Sequence, residues 1–124
     1  MKQNKIFIIE DDIVVQGLLK MLLEPYGQII QAFTLEEARA KFATEKDITH
    51  ILVDGQLSKQ HREKPETTEL VIEMRQTFSG PMIAISFNDE SNEWLKTQGC
   101  SHGVNKSNSA DFVINLLEKE KGSQ

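Results

Sequence analysis

Residues Ile6–Ile13 read IFIIEDDI: four apolar residues run straight into Glu10, Asp11 and Asp12. An unbroken Ile/Phe run of this length suits a strand buried on both faces. Three consecutive carboxylates at its end repel one another, and each raises the cost of ionising the next. Either water or a cation must offset that repulsion.

Working outward, the same kind of run recurs at Ile51–Val53 and Met82–Ile85. Between these runs lie segments of helical period. Ile13–Glu24 carries Val14, Val15, Leu18, Leu19, Leu22 and Leu23 as a broad apolar stripe, and Pro25 and Gly27 end it. A short second strand is expected at Gln28–Phe33. Thr34 with Glu37 three residues on forms a capping box for a helix to about Glu45. A third helix is expected at 66–78. A weak fourth, 90–97, stops before Gly99, a C-cap residue. A last short strand at Ser101–Asn105 precedes a helix capped by Ser107 or Ser109 and running to about Lys119, with the tail after residue 120 frayed.

Strand and helix alternating five times means an α/β domain with a parallel sheet. Right-handed crossovers leave few topologies. For five strands the flavodoxin-like order 2-1-3-4-5 is expected, with the ligand site outside the carboxyl ends of the strands at the switch point between strands 1 and 3. The expected organisation is one domain over residues 1–120. The 124 residues suffice for a core without staples. The net charge of −5 argues against unaided nucleic-acid binding. The single cysteine, Cys100, excludes an internal disulfide and fits a cytoplasmic protein. No apolar run approaches the roughly 18 residues of a membrane span, and the acids directly after Ile9 do not fit a signal peptide. No metal-ligand spacing joins His50, His61 and His102.

In the expected topology the ends of strands 1, 3, 4 and 5 converge. They carry Glu10-Asp11-Asp12, Asp54, Ser86 and Lys106. Carboxylates at a switch point form a hard-oxygen site for Mg²⁺, which pairs with few carboxylates and with phosphate oxygens. Aspartate can carry a phosphoryl group as an acyl phosphate. Transfer onto it needs positioning and charge neutralisation, which Mg²⁺, Lys106 and the Ser86 hydroxyl can supply.

The motifs FIIEDD, ILVDGQL, IAIS and VNKS, in this order, resemble those of the receiver domain of two-component response regulators, the chemotaxis-regulator-like family. The resemblance covers essentially the whole chain. It implies Asp54 as phosphoacceptor, Asp11 as a direct Mg²⁺ ligand, Glu10 acting through water, and the backbone carbonyl of Gln56 as a further ligand. It also implies Ser86 as switch hydroxyl and Lys106 as the phosphoryl-binding lysine. Asp12 is left to start the first helix. The implied partners are a histidine kinase or phosphotransfer protein and a downstream protein target, with no nucleic acid, no membrane and no metabolic enzyme activity.

The chain departs from the family in four places. Phe87 stands where a small residue usually follows the hydroxyl. Gly103 stands where Tyr or Phe usually reports the switch, and Ser107 replaces the Pro that usually follows the lysine. The loop after the third strand, GQLSKQHREKPETT, exceeds the usual connection of about 2 to 6 residues. Its Lys59, His61, Arg62 and Lys64 fit either a solvated face or a role in partner choice. Phe87 is expected to fill part of the ring volume missing at Gly103 and to narrow access to Asp54. Two rival readings remain: a pseudo-receiver that binds a partner without phosphorylation, and a receiver fragment of a larger regulator or hybrid kinase.

Overall fold

The structure is a computed structural model, which describes residues 3–57 and 64–122. Five strands, β1 (Asn4–Ile9), β2 (Gly27–Ala32), β3 (His50–Val53), β4 (Met82–Ala84) and β5 (His102–Gly103), form one parallel sheet in the order β2-β1-β3-β4-β5. Five helices connect and follow them: α1 (Ile13–Leu23), α2 (Leu35–Thr44), α3 (Thr68–Arg75), α4 (Asp89–Gln98) and α5 (Ser109–Gly122). The expected strand order and fold class hold.

Alternation along each strand divides the core in two. Phe7, Ile9, Ile51, Val53, Met82 and Ala84 face Ala38, Leu70, Val71, Met74 and Leu95 of α2, α3 and α4. Ile6, Ile8, Leu52, Ile83 and Ile85 face Leu19, Leu23, Val113 and Leu117 of α1 and α5. This is why the strand sequences are continuously apolar rather than alternating. Cys100 packs in the first of these clusters, and burial pushes its thiol up to about 12.

Local signals act largely as read. Asp12 caps α1, its carboxylate accepting from the Val14 and Val15 amides. Thr34 accepts from the Glu37 amide, and Glu37 reaches back to the amide of Phe33, one residue before the cap. At α5 the outcome differs. Asn105 accepts from the Ser107 amide and opens a 3-10 turn at Lys106–Asn108, and Ser109 is already the first residue of the helix. The fifth strand is also shorter than the expected Ser101–Asn105.

The largest departure is on α1. Only Gln16, Leu19 and Leu23 are buried there, at the i, i+3, i+7 spacing of one narrow face. Ile13 (77% exposed), Val14 (78%), Leu18, Met21 and Leu22 face outward. The stripe is wider than the face that sheet and α5 can cover. At the opposite end of the sheet, buried His50 lies between Thr49 Oγ1, 2.7 Å from Nδ1, and Glu120 Oε1, 2.7 Å from Nε2. That contact joins the amino end of β3 to the last turns of α5. The His102 ring meets that of Phe112 in a tilted contact, centroids 5.4 Å apart, and His61 lies outside the described residues.

Candidate functional site

The carboxyl ends of β1, β3 and β5 bring together the groups the sequence singles out. One carboxylate oxygen from each of Glu10, Asp11 and Asp54 lies within 4.8 Å of the others. Lys106 Nζ donates to Asp54 Oδ2 at 2.7 Å and lies 2.5 Å from Glu10 Oε1. Glu10 is fully buried, Asp54 nearly so, and Asp11 is exposed. A single ammonium thus faces two buried carboxylates.

The electrostatics follow. Burial, then the hydrogen-bonding and charge of Asp54, pushes the Glu10 carboxyl up to about 8 against the opposing pull of Lys106. For Lys106, burial disfavours the charged form, but the bonds to Asp54 and Glu10 outweigh it and hold the lysine above its ordinary value. With the Glu10 carboxyl held largely in its neutral form, the Lys106 ammonium pairs chiefly with Asp54, beside exposed Asp11. Oxygen donors of this kind fit a hard divalent cation such as Mg²⁺. Gln56 sits two residues beyond Asp54 with its amide 3.5 Å from Asp54 Oδ1.

Ser86 follows β4 and is buried, with Oγ accepting from the Asn88 amide at 3.1 Å. That bond uses an oxygen lone pair and leaves the hydroxyl proton for another acceptor.

Four polar residues outside the sequence reading hold this end of the sheet. The Gln16 amide donates to the carbonyls of Ile8, Glu10 and Ala32, at 3.0, 3.0 and 2.9 Å, and so fixes the end of β1. Thr67 Oγ1 donates to the Asp54 carbonyl at 2.8 Å, and the Thr67 amide donates to Gly55. Glu66 Oε1 accepts from the Leu57 amide at 2.7 Å, which closes the long loop at its base. Of the loop cations, Lys59, His61 and Arg62 lie outside the described residues, and Lys64 sits over the Trp94 ring at 4.9 Å. Trp94 itself is half-buried against the core and donates to Thr68 Oγ1. The fourth residue is Asn92, buried on α4 and bound to Ser86.

No protein-family model matches the sequence, and no curated protein matches it. Solved structures do. A two-component response regulator from Clostridium difficile shares 23% identity over 94% of this chain and 97% of that one, with a TM-score of 0.77. A response regulator receiver domain from Methylobacillus flagellatus shares 16% identity over 95% and 98%, with a TM-score of 0.76. The fold is that of a response regulator receiver domain. A response regulator from Burkholderia pseudomallei, solved with a phosphorylated aspartic acid, calcium ion and citrate, matches at 19% identity over 92% of this chain and 66% of that one, with a TM-score of 0.77.

Within the receiver fold, the two unusual positions take a different course from the expected one. Phe87 is 65% exposed and does not fill a core volume. Its ring lies over Lys106 Nζ at 5.0 Å, a cation–π contact on the solvent side of the lysine. The space beside Gly103 is closed by α4 instead: a Cβ there would meet Asn92 Cβ and Lys96 Cδ, each at 3.1 Å. The ring of Phe87 covers the lysine and not the glycine because the residue lies past the end of β4, beyond the sheet.

Proposed function

We propose that this chain is a cytoplasmic receiver domain that accepts a phosphoryl group on Asp54, with Mg²⁺ bound by Asp11, Asp54, the Gln56 carbonyl and, through water, Glu10. The observation that carries this reading is the Lys106 ammonium bonded to Asp54 and Glu10 among three converging carboxylates. Asp54 Oδ2 is held by Lys106, while among the described residues Oδ1 has the long contact to the Gln56 amide. An Asp54 oxygen attacks phosphorus, and the bond from phosphorus to the donor's nitrogen or oxygen breaks. The donor keeps that electron pair. Negative charge on the phosphoryl oxygens then faces Lys106 Nζ and the free proton of Ser86. A bound Mg²⁺ supplies further neutralisation of the acidic pocket and of those oxygens.

The donor is a histidine kinase or phosphotransfer protein. The exposed apolar face of α1 begins directly after the acidic turn, with Ile13 and Val14, and continues through Leu18 and Met21. Contiguous exposed apolar side chains of this kind mark protein contacts. Leu18→Glu is expected to slow transfer from the cognate kinase by about tenfold or more, while transfer from acetyl phosphate is unchanged. Equal effects on both donors contradict docking through α1.

Phosphorylation shifts a two-state population and changes affinity for a downstream protein. Gly103, with no ring to report the switch, favours the alternative of a constitutive binding module. The deciding experiment is incubation with acetyl phosphate and Mg²⁺, read by intact mass. The receiver reading expects one phosphoryl adduct that is lost when a chelator is present. No adduct, or labelling that persists in chelator, overturns it.

Phe87 shields one side of Lys106, so Phe87→Ala is expected to speed both phosphoryl uptake from small donors and its loss to water by more than about twofold. If both rates stay within that margin, the ring is no barrier to the site.

A further inference from the structure

The rungs between β4 and β5 contain an inserted side chain. Val104 N donates to Ala84 O at 2.8 Å, and Lys106 N donates to Ser86 O at 3.2 Å. In an evenly spaced parallel ladder the bond between these two is Ser86 N–H to Val104 O. Here the Asn92 carboxamide stands in its place. Asn92 Oδ1 accepts from Ser86 N at 2.8 Å, and Nδ2 donates to Val104 O at 3.1 Å and to Ser86 O at 3.0 Å. Both amide protons and the amide oxygen are used, and the residue is 3% exposed. A side-chain amide carries the same donor and acceptor as a peptide group, so one residue of α4 completes the sheet between the hydroxyl-bearing and lysine-bearing strand ends.

We infer that Asn92 is a positioning residue that joins Ser86 to α4 and carries displacement of the strand-4 end directly into that helix. The inference rests on the reading of Asp54 as phosphoacceptor and extends it to the route of the signal. Ser86 is gripped at both its N–H and its carbonyl, so movement of its backbone toward a phosphoryl group draws on Asn92. Lys106 enters the same junction, because its own amide shares the Ser86 carbonyl. Gly103 is the complement of this arrangement: Asn92 Cβ and Lys96 Cδ lie 3.1 Å from where its Cβ would stand, so a side chain there would press on α4. The buried amide is costly to leave unpaired, which keeps helix and strand ends together.

Two measurements on Asn92→Leu test this. In the unmodified protein, amide hydrogen exchange at Ser86 and along α4 should quicken together by about tenfold, with β1 and β3 unaffected. Quickening in α4 alone, or in neither, overturns the junction. The second measurement uses Trp94, the single tryptophan, which lies on α4. Its emission is followed on addition of acetyl phosphate and Mg²⁺, normalised to adduct by intact mass. The parent should respond, and the response per adduct should fall about fivefold or more in the variant. An undiminished response per adduct overturns the relay, whereas a merely structural Asn92 leaves it in place. If the leucine variant does not fold, Asn92→Ala, which leaves room for water, replaces it. Absence of any adduct on the parent refutes the reading of Asp54, and the exchange measurement then decides the junction by itself.

Discussion

Asp54→Asn is expected to abolish phosphoryl transfer from acetyl phosphate, a fall of about a hundredfold or more. The substitution keeps the shape of the side chain and its place after β3, so the fold has no reason to change. It removes the oxygen proposed to attack phosphorus, and an amide is a far poorer nucleophile. Neither of the other two carboxylates of the site is placed to replace it. Glu10 is fully buried and set against Lys106, and Asp11 lies exposed without an ion-pair partner among the described residues. Among the described residues only Asp54 combines near-complete burial, the lysine bond at 2.7 Å and a second oxygen with weak competition. An adduct of parent-like yield on this variant contradicts the assignment.

Removal of Asp11 is expected to have the second largest effect, on Mg²⁺ itself. Asp11→Ala should weaken Mg²⁺ binding by about tenfold or more in a calorimetric titration, because it deletes a charged oxygen ligand outright. Glu10→Gln should weaken it distinctly less. Glu10 Oε1 is occupied by Lys106 and Oε2 by the Asp11 amide, so the proposed part of Glu10 in metal binding is through water, which a neutral amide would still hold. The lysine sits on the buried side of the acidic group and the exposed carboxylate on the open side. A cation entering from solvent meets Asp11. Equal losses for the two variants contradict this division of roles.

The parts of the molecule legible from its sequence are those where one physical signal dominates. Ile6–Ile9, Ile51–Val53 and Met82–Ile85 must be buried on both faces, and that requirement alone places them in the middle of a parallel sheet. Asp54 and Lys106 follow from what each strand ends on once the order is set. The α1 stripe was not resolvable in the same way. Apolar periodicity shows that a helix has an apolar side, but the width of sheet available to cover it is a tertiary quantity, and α1 covers only Gln16, Leu19 and Leu23. Gln16 and Asn92 were hidden for the opposite reason. A lone amide in a helix ordinarily faces water, and its burial is decided by strand-end carbonyls and amides that local sequence does not reveal. The brevity of β5 has the same origin, since the Asn92 amide occupies a rung that a strand residue would otherwise fill. Phe87 reads as apolar, and only its position beyond the end of β4 turns it outward onto Lys106.

The central claim, that Asp54 takes the phosphoryl group, is tested most directly by locating the adduct. The protein is incubated with acetyl phosphate and Mg²⁺, the acyl phosphate is reduced in place with borohydride, and the digested peptides are mapped by mass. The account predicts conversion of residue 54, and of no other residue, to homoserine. An intact Asp54 peptide together with a phosphoryl group on Ser86 or elsewhere contradicts it.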